Sequence, residues 1–318
     1  MADSGLAWLG SAGVVVVAGK GGVGRTTVAA ALAAAVADAG GDVLVVAVDG
    51  RPGLGPLLGG RELDATARDL RRTAAGGRVR GRTIPADQAF GDYLELKGVS
   101  GMLRRAASAA SLPMIAAATP GLEHLLVLGK IKELERERAA DLIIVDAPPA
   151  GHAAPFLRSA SGLSEVVQSG PIRDQAVEVD AMLRDGDRCV ALIVTLAEET
   201  PVTEAVELHH DLRTDVGIDV AAIAVNACWR ERPGLDKTPA AAARARGGVT
   251  LTPTAKAALA TSSAFGRRQL DRQRAQISRL ASLTDAALVT LPRLPTAAVT
   301  ADELDVLAAA LRATEESA

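Results

Sequence analysis

The chain has 318 residues, enough for one large α/β domain or two smaller ones, and for a substantial core without disulfide or metal staples. Lys and Arg number 35 against 38 Asp and Glu, a net charge of −3, and only two Trp, one Tyr and three Phe are present. That balance argues against a chain whose main task is to hold nucleic-acid phosphates or to stack bases. Hydrophobic residues make up 48%. The longest uninterrupted apolar run, residues 28–37, is nevertheless far shorter than the roughly 20 residues a membrane span needs. The opening MADSGLAWLG lacks the basic start, apolar stretch and cleavage site of a signal peptide. Cys189 and Cys228 are the only cysteines, each in an apolar segment, which excludes a disulfide framework or a Cys-rich metal site. The expectation is a soluble, cytoplasmic protein with no nucleic-acid partner and no stable membrane insertion.

In chain order, residues 13–18 (GVVVVA) form a short β-branched run, apolar throughout, as a strand buried on both faces reads. An alanine-rich helix follows over 26–39 and stops at Gly40 and Gly41. Further strands are predicted at 42–49, 141–146, 189–196, 218–226 and 286–291, with helices at 203–215, 261–282 and 302–313 among them. Strand–helix alternation with all-apolar strands predicts an α/β fold, a mostly parallel sheet with helices on both faces. Residues 86–138 and 153–187 break the alternation and read as several helices, a small helical subdomain. The predicted organisation is a tail at 1–12, a single domain over 13–314 and a tail at 315–318. The helix at 261–282 is marked by arginines, with Leu270, Ile277 and Leu280 on one side. Its basic side reads as a solvated face, with a nucleic-acid or anionic partner as the less favoured alternative.

After the first strand comes Gly19-Lys20-Gly21-Gly22-Val23-Gly24-Arg25-Thr26-Thr27, a glycine-rich loop at a strand–helix junction. It fits G-x-x-x-x-G-K-[ST] with arginine in place of lysine at position 25. Gly21, Gly22, Val23, Gly24, Arg25, Thr26 and Thr27 are therefore candidate ATP-binding residues. Glycines let main-chain N–H groups converge on phosphate oxygens, the helix adds its positive end, and the Thr26 hydroxyl would face Mg²⁺. Arg25 keeps the usual charge, but its group is longer and planar, so the exchange is not conservative at a tight phosphate site.

Lys20, directly after the first glycine in GKGGVG, is the hallmark of the deviant Walker A class. At this point the chain resembles the arsenite-efflux and tail-anchored-protein-targeting ATPase family, its single-domain actinobacterial members in particular. The resemblance runs along most of the chain. It implies a P-loop NTPase fold, and a dimer in which Lys20 reaches into the partner's nucleotide. Asp49, in VDGRP, matches the switch I aspartate that orients the attacking water, so Lys20 and Asp49 are the catalytic candidates. Residues 145–152 (VDAPPAGH) resemble switch II, with Asp146, Pro148, Gly151 and His152 in its positions. Asp146 would hold Mg²⁺ through water, alongside Thr26. His152 reads as a structural residue of that loop, with a general base the less favoured role. Ala197, Glu198 and Glu204 resemble the family's helix start after the next strand. Asn226 matches the asparagine that contacts adenine, and Pro292 and Leu294 match the P-x-L-P loop beside the base. Residues 119–122 (TPGL) and 129–132 (GKIK) resemble the actinobacterial branch.

The resemblance implies ATP and Mg²⁺ as cofactors and a dimeric, slowly hydrolysing switch coupled to a protein partner. The alternative is a non-hydrolysing regulatory subunit beside a second family ATPase, so homodimer and heterodimer both stay open. A protein client would sit at the helical subdomain, where Met102, Met114 and Met182 lie, although an ordinary core is the plainer reading of those methionines. The C-x-x-C zinc pair and clustered arsenite-binding cysteines of other members are missing, which speaks against arsenite transport. His209 and His210 read as an ordinary helix face.

Overall fold

The β-branched runs form the centre of one eight-stranded sheet. In the computed structural model, residues 4–48, 53–98 and 119–313 are described. The strands are β1 (Val14–Gly19), β2 (Asp42–Ala47), β3 (Arg68–Arg72), β4 (Arg78–Thr83), β5 (Leu142–Asp146), β6 (Cys189–Leu196), β7 (Asp219–Cys228) and β8 (Ala287–Pro292). Their order is β3-β4-β2-β5-β1-β6-β7-β8, parallel at every junction except the antiparallel β3–β4 edge. The α/β expectation of a mostly parallel sheet is borne out. β3 and β4 did not stand out in the sequence, because arginine-rich edge strands carry no apolar run. Ion pairs secure them instead: Arg71 holds Asp38, while Arg78 and Arg80 converge on Asp42.

The helices are α1 (Arg25–Asp38), α2 (Leu54–Leu57), α3 (Ala86–Leu96), α4 (Leu122–Arg136), α5 (Ala150–Val166), α6 (Pro171–Leu183), α7 (Glu199–Asp211), α8 (Pro239–Ala245), α9 (Pro253–Leu283) and α10 (Ala301–Arg312). A π-helical turn, Leu212–Val216, continues α7, and Ser4–Leu9 is a 3-10 helix that buries Leu6 and Leu9. Among the described residues, no helix is long and apolar enough to cross a membrane. Alternate residues of each strand serve opposite cores, as the period of two dictates. Val14, Val16, Ile143, Val145 and Ile193 face the side covered by α3 to α7. Val15, Val17, Ile144, Leu192 and Val194 face the side covered by α1 and α10. The helices predicted within 86–138 and 153–187 appear as α3, α4, α5 and α6. The stretch around Met102 and Met114 lies outside the described residues, and Met182 is a fully buried core residue.

α1 explains its own composition. Every residue from Val28 to Ala37 is fully buried, because the helix lies between the sheet on one side and α10 on the other. Two covered sides leave room for methyl groups at most positions, so the run is alanine rather than leucine. Ala33→Leu should overpack this site and destabilise the protein by ~1–3 kcal/mol, read as a lowered urea midpoint. Ala260→Leu, on an exposed turn of α9, should stay within about 0.5 kcal/mol.

Candidate functional site at the strand carboxyl ends

The glycine-rich loop leaves β1 beside the carboxyl ends of β5, β6, β7 and β8, the edge at which parallel α/β sheets bind ligands. Two glycines are required there. A Cβ on Gly19 would stand 2.3 Å from the Val194 carbonyl oxygen of β6, so only glycine lets the two backbones approach. Gly24 has φ 91° and caps α1, and a Cβ there would stand 2.4 Å from Asn226 Nδ2.

The next two side chains grip consecutive residues at the end of β5. Thr26 Oγ1 donates to Asp146 Oδ2 at 2.7 Å, and the buried Arg25 donates from Nη1 to the main-chain carbonyl of Ala147. Pro148 and Pro149 then lead into α5, whose first turn is tied by the His152 and Ala153 amides to the Pro149 carbonyl. Gly151 and His152 are exposed. Lys20 is not idle in its own subunit: Nζ donates to Glu204 Oε1 on α7 at 2.6 Å. Both side chains are more than a third exposed, so the pair is worth only about 0–1 kcal/mol. A stronger anion or a new partner can displace it. Glu204 Oε2 is buried without a hydrogen-bond partner among the described residues.

Asn226, at the end of β7, faces inward more than its sequence position suggests. Its Nδ2 donates to the Val23 carbonyl at 2.9 Å, and its Oδ1 accepts from the Ala227 amide at 2.8 Å. It thereby clamps the glycine loop and supports Ala227 at φ 54°. A cavity of about 270 Å³ lies beside it, lined by Thr27, Pro292, Leu294, Val299 and Leu307 among others. Thr27, Asn226, Pro292 and Leu294 are thus brought together around one base-sized space. Pro292 ends β8 beside Cys228, and Arg293 donates its amide to the Cys228 carbonyl. Reading the sequence missed Trp229, whose ring lies 4.8 Å beneath the Arg293 guanidinium. Its signal was faint: one aromatic, directly after the strand-ending Cys228.

The candidate magnesium ligands fit such an ion in kind. Thr26 and Asp146 supply only oxygens, at hydrogen-bond distance from one another, which suits a hard cation. Asp49 lies outside the described residues. Burial pushes the Cys189 thiol up to about 12 and the Cys228 thiol up to about 11, so both stay protonated near neutrality. His209 is buried at the end of α7, with Nε2 3.1 Å from Asp285 Oδ1.

Comparison with known proteins agrees with this geometry. The Anion-transporting ATPase family profile matches residues 12–70, the stretch that carries the glycine-rich loop. ATPase BagA of Mycobacterium tuberculosis is 34% identical over 219 residues, 66% of this chain and 63% of that protein. The Arsenical pump-driving ATPase of Escherichia coli is 28% identical over 202 residues, 63% of this chain and 32% of that protein. A protein of that description from Acidiphilium multivorum is 29% identical over the same length. The chain therefore spans less than two thirds of these relatives, and about one third of the arsenical pump proteins. Over these stretches the chain is similar to ATPases of this family, in keeping with the parallel sheet and the glycine loop at its carboxyl edge.

Proposed function

We propose that this protein binds Mg·ATP at residues 21–27, hydrolyses it slowly, and works as a dimeric switch that reports nucleotide state to a protein partner. The observation that carries the reading is the paired grip of Arg25 and Thr26 on the end of β5, set beside the cavity at Asn226 and Pro292. Phosphates would lie against the loop amides and the N-terminus of α1. The base would enter the cavity lined by Thr27, Pro292 and Leu294. Thr26 and Asp146 would hold the Mg²⁺, whose charge would offset that of the phosphates. Asp49 would orient the attacking water.

Arg25 sets the rate in this account. Its guanidinium is tied to a neutral carbonyl, and charge-assisted hydrogen bonds to phosphate are about twice as strong as neutral ones. Bound phosphate would therefore compete with the Ala147 carbonyl for Arg25. Its charge then sits on a longer, planar group than the usual ammonium, where phosphoryl transfer depends on exact charge placement. Arg25→Lys should raise single-turnover phosphate release. A tenfold gain corresponds to only ~1.4 kcal/mol of barrier. Asp49→Asn should abolish release in either background while calorimetric Mg·ATP binding persists. Release that is unchanged by Asp49→Asn in both backgrounds would contradict the catalytic assignment. The buried Arg25–Ala147 contact also favours a second reading, a nucleotide-binding subunit that does not hydrolyse. It would stand if wild-type protein binds Mg·ATP and Arg25→Lys releases no phosphate.

Lys20 would leave Glu204 and reach across a two-fold axis to the partner's nucleotide. Mg·ATP should therefore promote dimerisation in sedimentation velocity, and Lys20→Ala should weaken that response. A sedimentation coefficient independent of nucleotide in both proteins would remove the argument for action across the axis.

A further inference from the structure

Cations on the body of the protein are largely neutralised. Arg68, Arg71, Arg78, Arg80, Arg158 and Arg188 each hold a carboxylate. Residues 229–279 differ. They contain eleven Lys and Arg against three Asp and Glu, with no acid at all between Asp236 and Asp271. Arg230, Arg232, Arg244, Arg246, Arg268 and Arg272 have no ion-pair partner among the described residues. The remainder of the chain carries 24 basic and 35 acidic residues. An acidic body thus bears one strongly basic helical segment. The same segment carries exposed apolar side chains, Val249, Leu259 and Phe265 at 46–60% exposure, and Leu283, four residues beyond it, is 51% exposed.

α9 organises these groups. Leu270, Ile277 and Leu280 form its packing side, and no residue from 253 to 269 is buried. At 100° per residue, Phe265, Arg268, Arg272, Arg279 and Leu283 fall on another side as a single stripe. The stripe is ~27 Å long at 1.5 Å per residue, basic in the middle and apolar at both ends. Arg279 is steadied by Thr203 Oγ1 at 3.1 Å. Arg272 also lines a cavity of about 620 Å³ whose walls include Gln269, Gln276 and Trp229.

We propose that this stripe docks an acidic amphipathic α-helix of a partner protein. Anchors at steps of three, four and seven match a helix laid along α9, with carboxylates over Arg268 and Arg272 and apolar residues over Phe265 and Leu283. Arginine forks pair bidentately with carboxylates, and aromatic and arginine side chains dominate protein interfaces. Nucleic acid fits less well. Phosphates gain nothing from the apolar Leu283 at the end of the stripe. A lipid surface fits less well because charge interrupts the apolar stripe at its centre.

The test uses the full chain and a fluorescent helical peptide of about twenty residues. The peptide carries Glu at the central facing positions and Leu at the two ends, and anisotropy is read at low and physiological ionic strength. Wild-type protein should bind it, more weakly as salt rises. The Arg268→Glu, Arg272→Glu double variant should lose at least about tenfold in affinity, as truncated charge pairs do. A peptide with Lys for Glu should regain binding to that variant but not to wild type. Phe265→Ser should weaken binding at both salt concentrations. All these positions are exposed, so thermal melts check that the variants fold. The proposal is overturned if wild type does not bind the peptide, or if charge reversal leaves binding intact. It is equally overturned if a DNA duplex or phosphatidylglycerol vesicles bind wild type and the peptide does not.

Discussion

The site depends on how closely α1 can approach the sheet. A helix covered on both sides has space for little more than methyl groups, and ten consecutive fully buried positions meet that limit with alanine, valine and one leucine. The close approach sets the start of α1 directly behind the glycine loop. There Gly24 and Asn226 are already too near for any side chain at position 24. Packing inside the core thus determines where the loop amides point.

The charges at this end of the sheet are satisfied within the chain. Arg25 rests on the Ala147 carbonyl, Thr26 on the Asp146 carboxylate and Lys20 on Glu204. The first contact joins the glycine loop to the turn leading into α5, and the third joins it to α7. A neutral carbonyl and a half-exposed ion pair, each taken alone, compete poorly with the several negative oxygens of a polyphosphate. An anion arriving at the loop would therefore disturb α5 and α7 together. Those two helices cover the core face opposite α1.

Much of this was legible in the sequence, for physical reasons. The central strands are buried on both faces and so appear as apolar runs. The glycine loop could be read because its backbone demands glycine, whereas Asn226, Pro292 and Leu294 were named only through the family resemblance. β3 and β4 were hidden because ion pairs, not apolar residues, hold an edge hairpin of arginines. The Lys20–Glu204 pair joins residues 184 positions apart, and no local pattern announces such a contact. The amide of Asn226 holds the glycine loop itself, a contact that no local sequence pattern announces. α9 starts at Pro253, well before the arginine-marked stretch, because exposed alanine, serine and threonine turns carry no apolar period.

The central claim is that one nucleotide occupies the glycine loop and the cavity beside Asn226 together. Amide hydrogen exchange on the full chain, with and without Mg·ATP, tests this most directly. The account predicts slowed exchange in peptides covering residues 20–28 and in those covering 293–299. Unchanged exchange in both regions, or protection confined to another part of the chain, would contradict it.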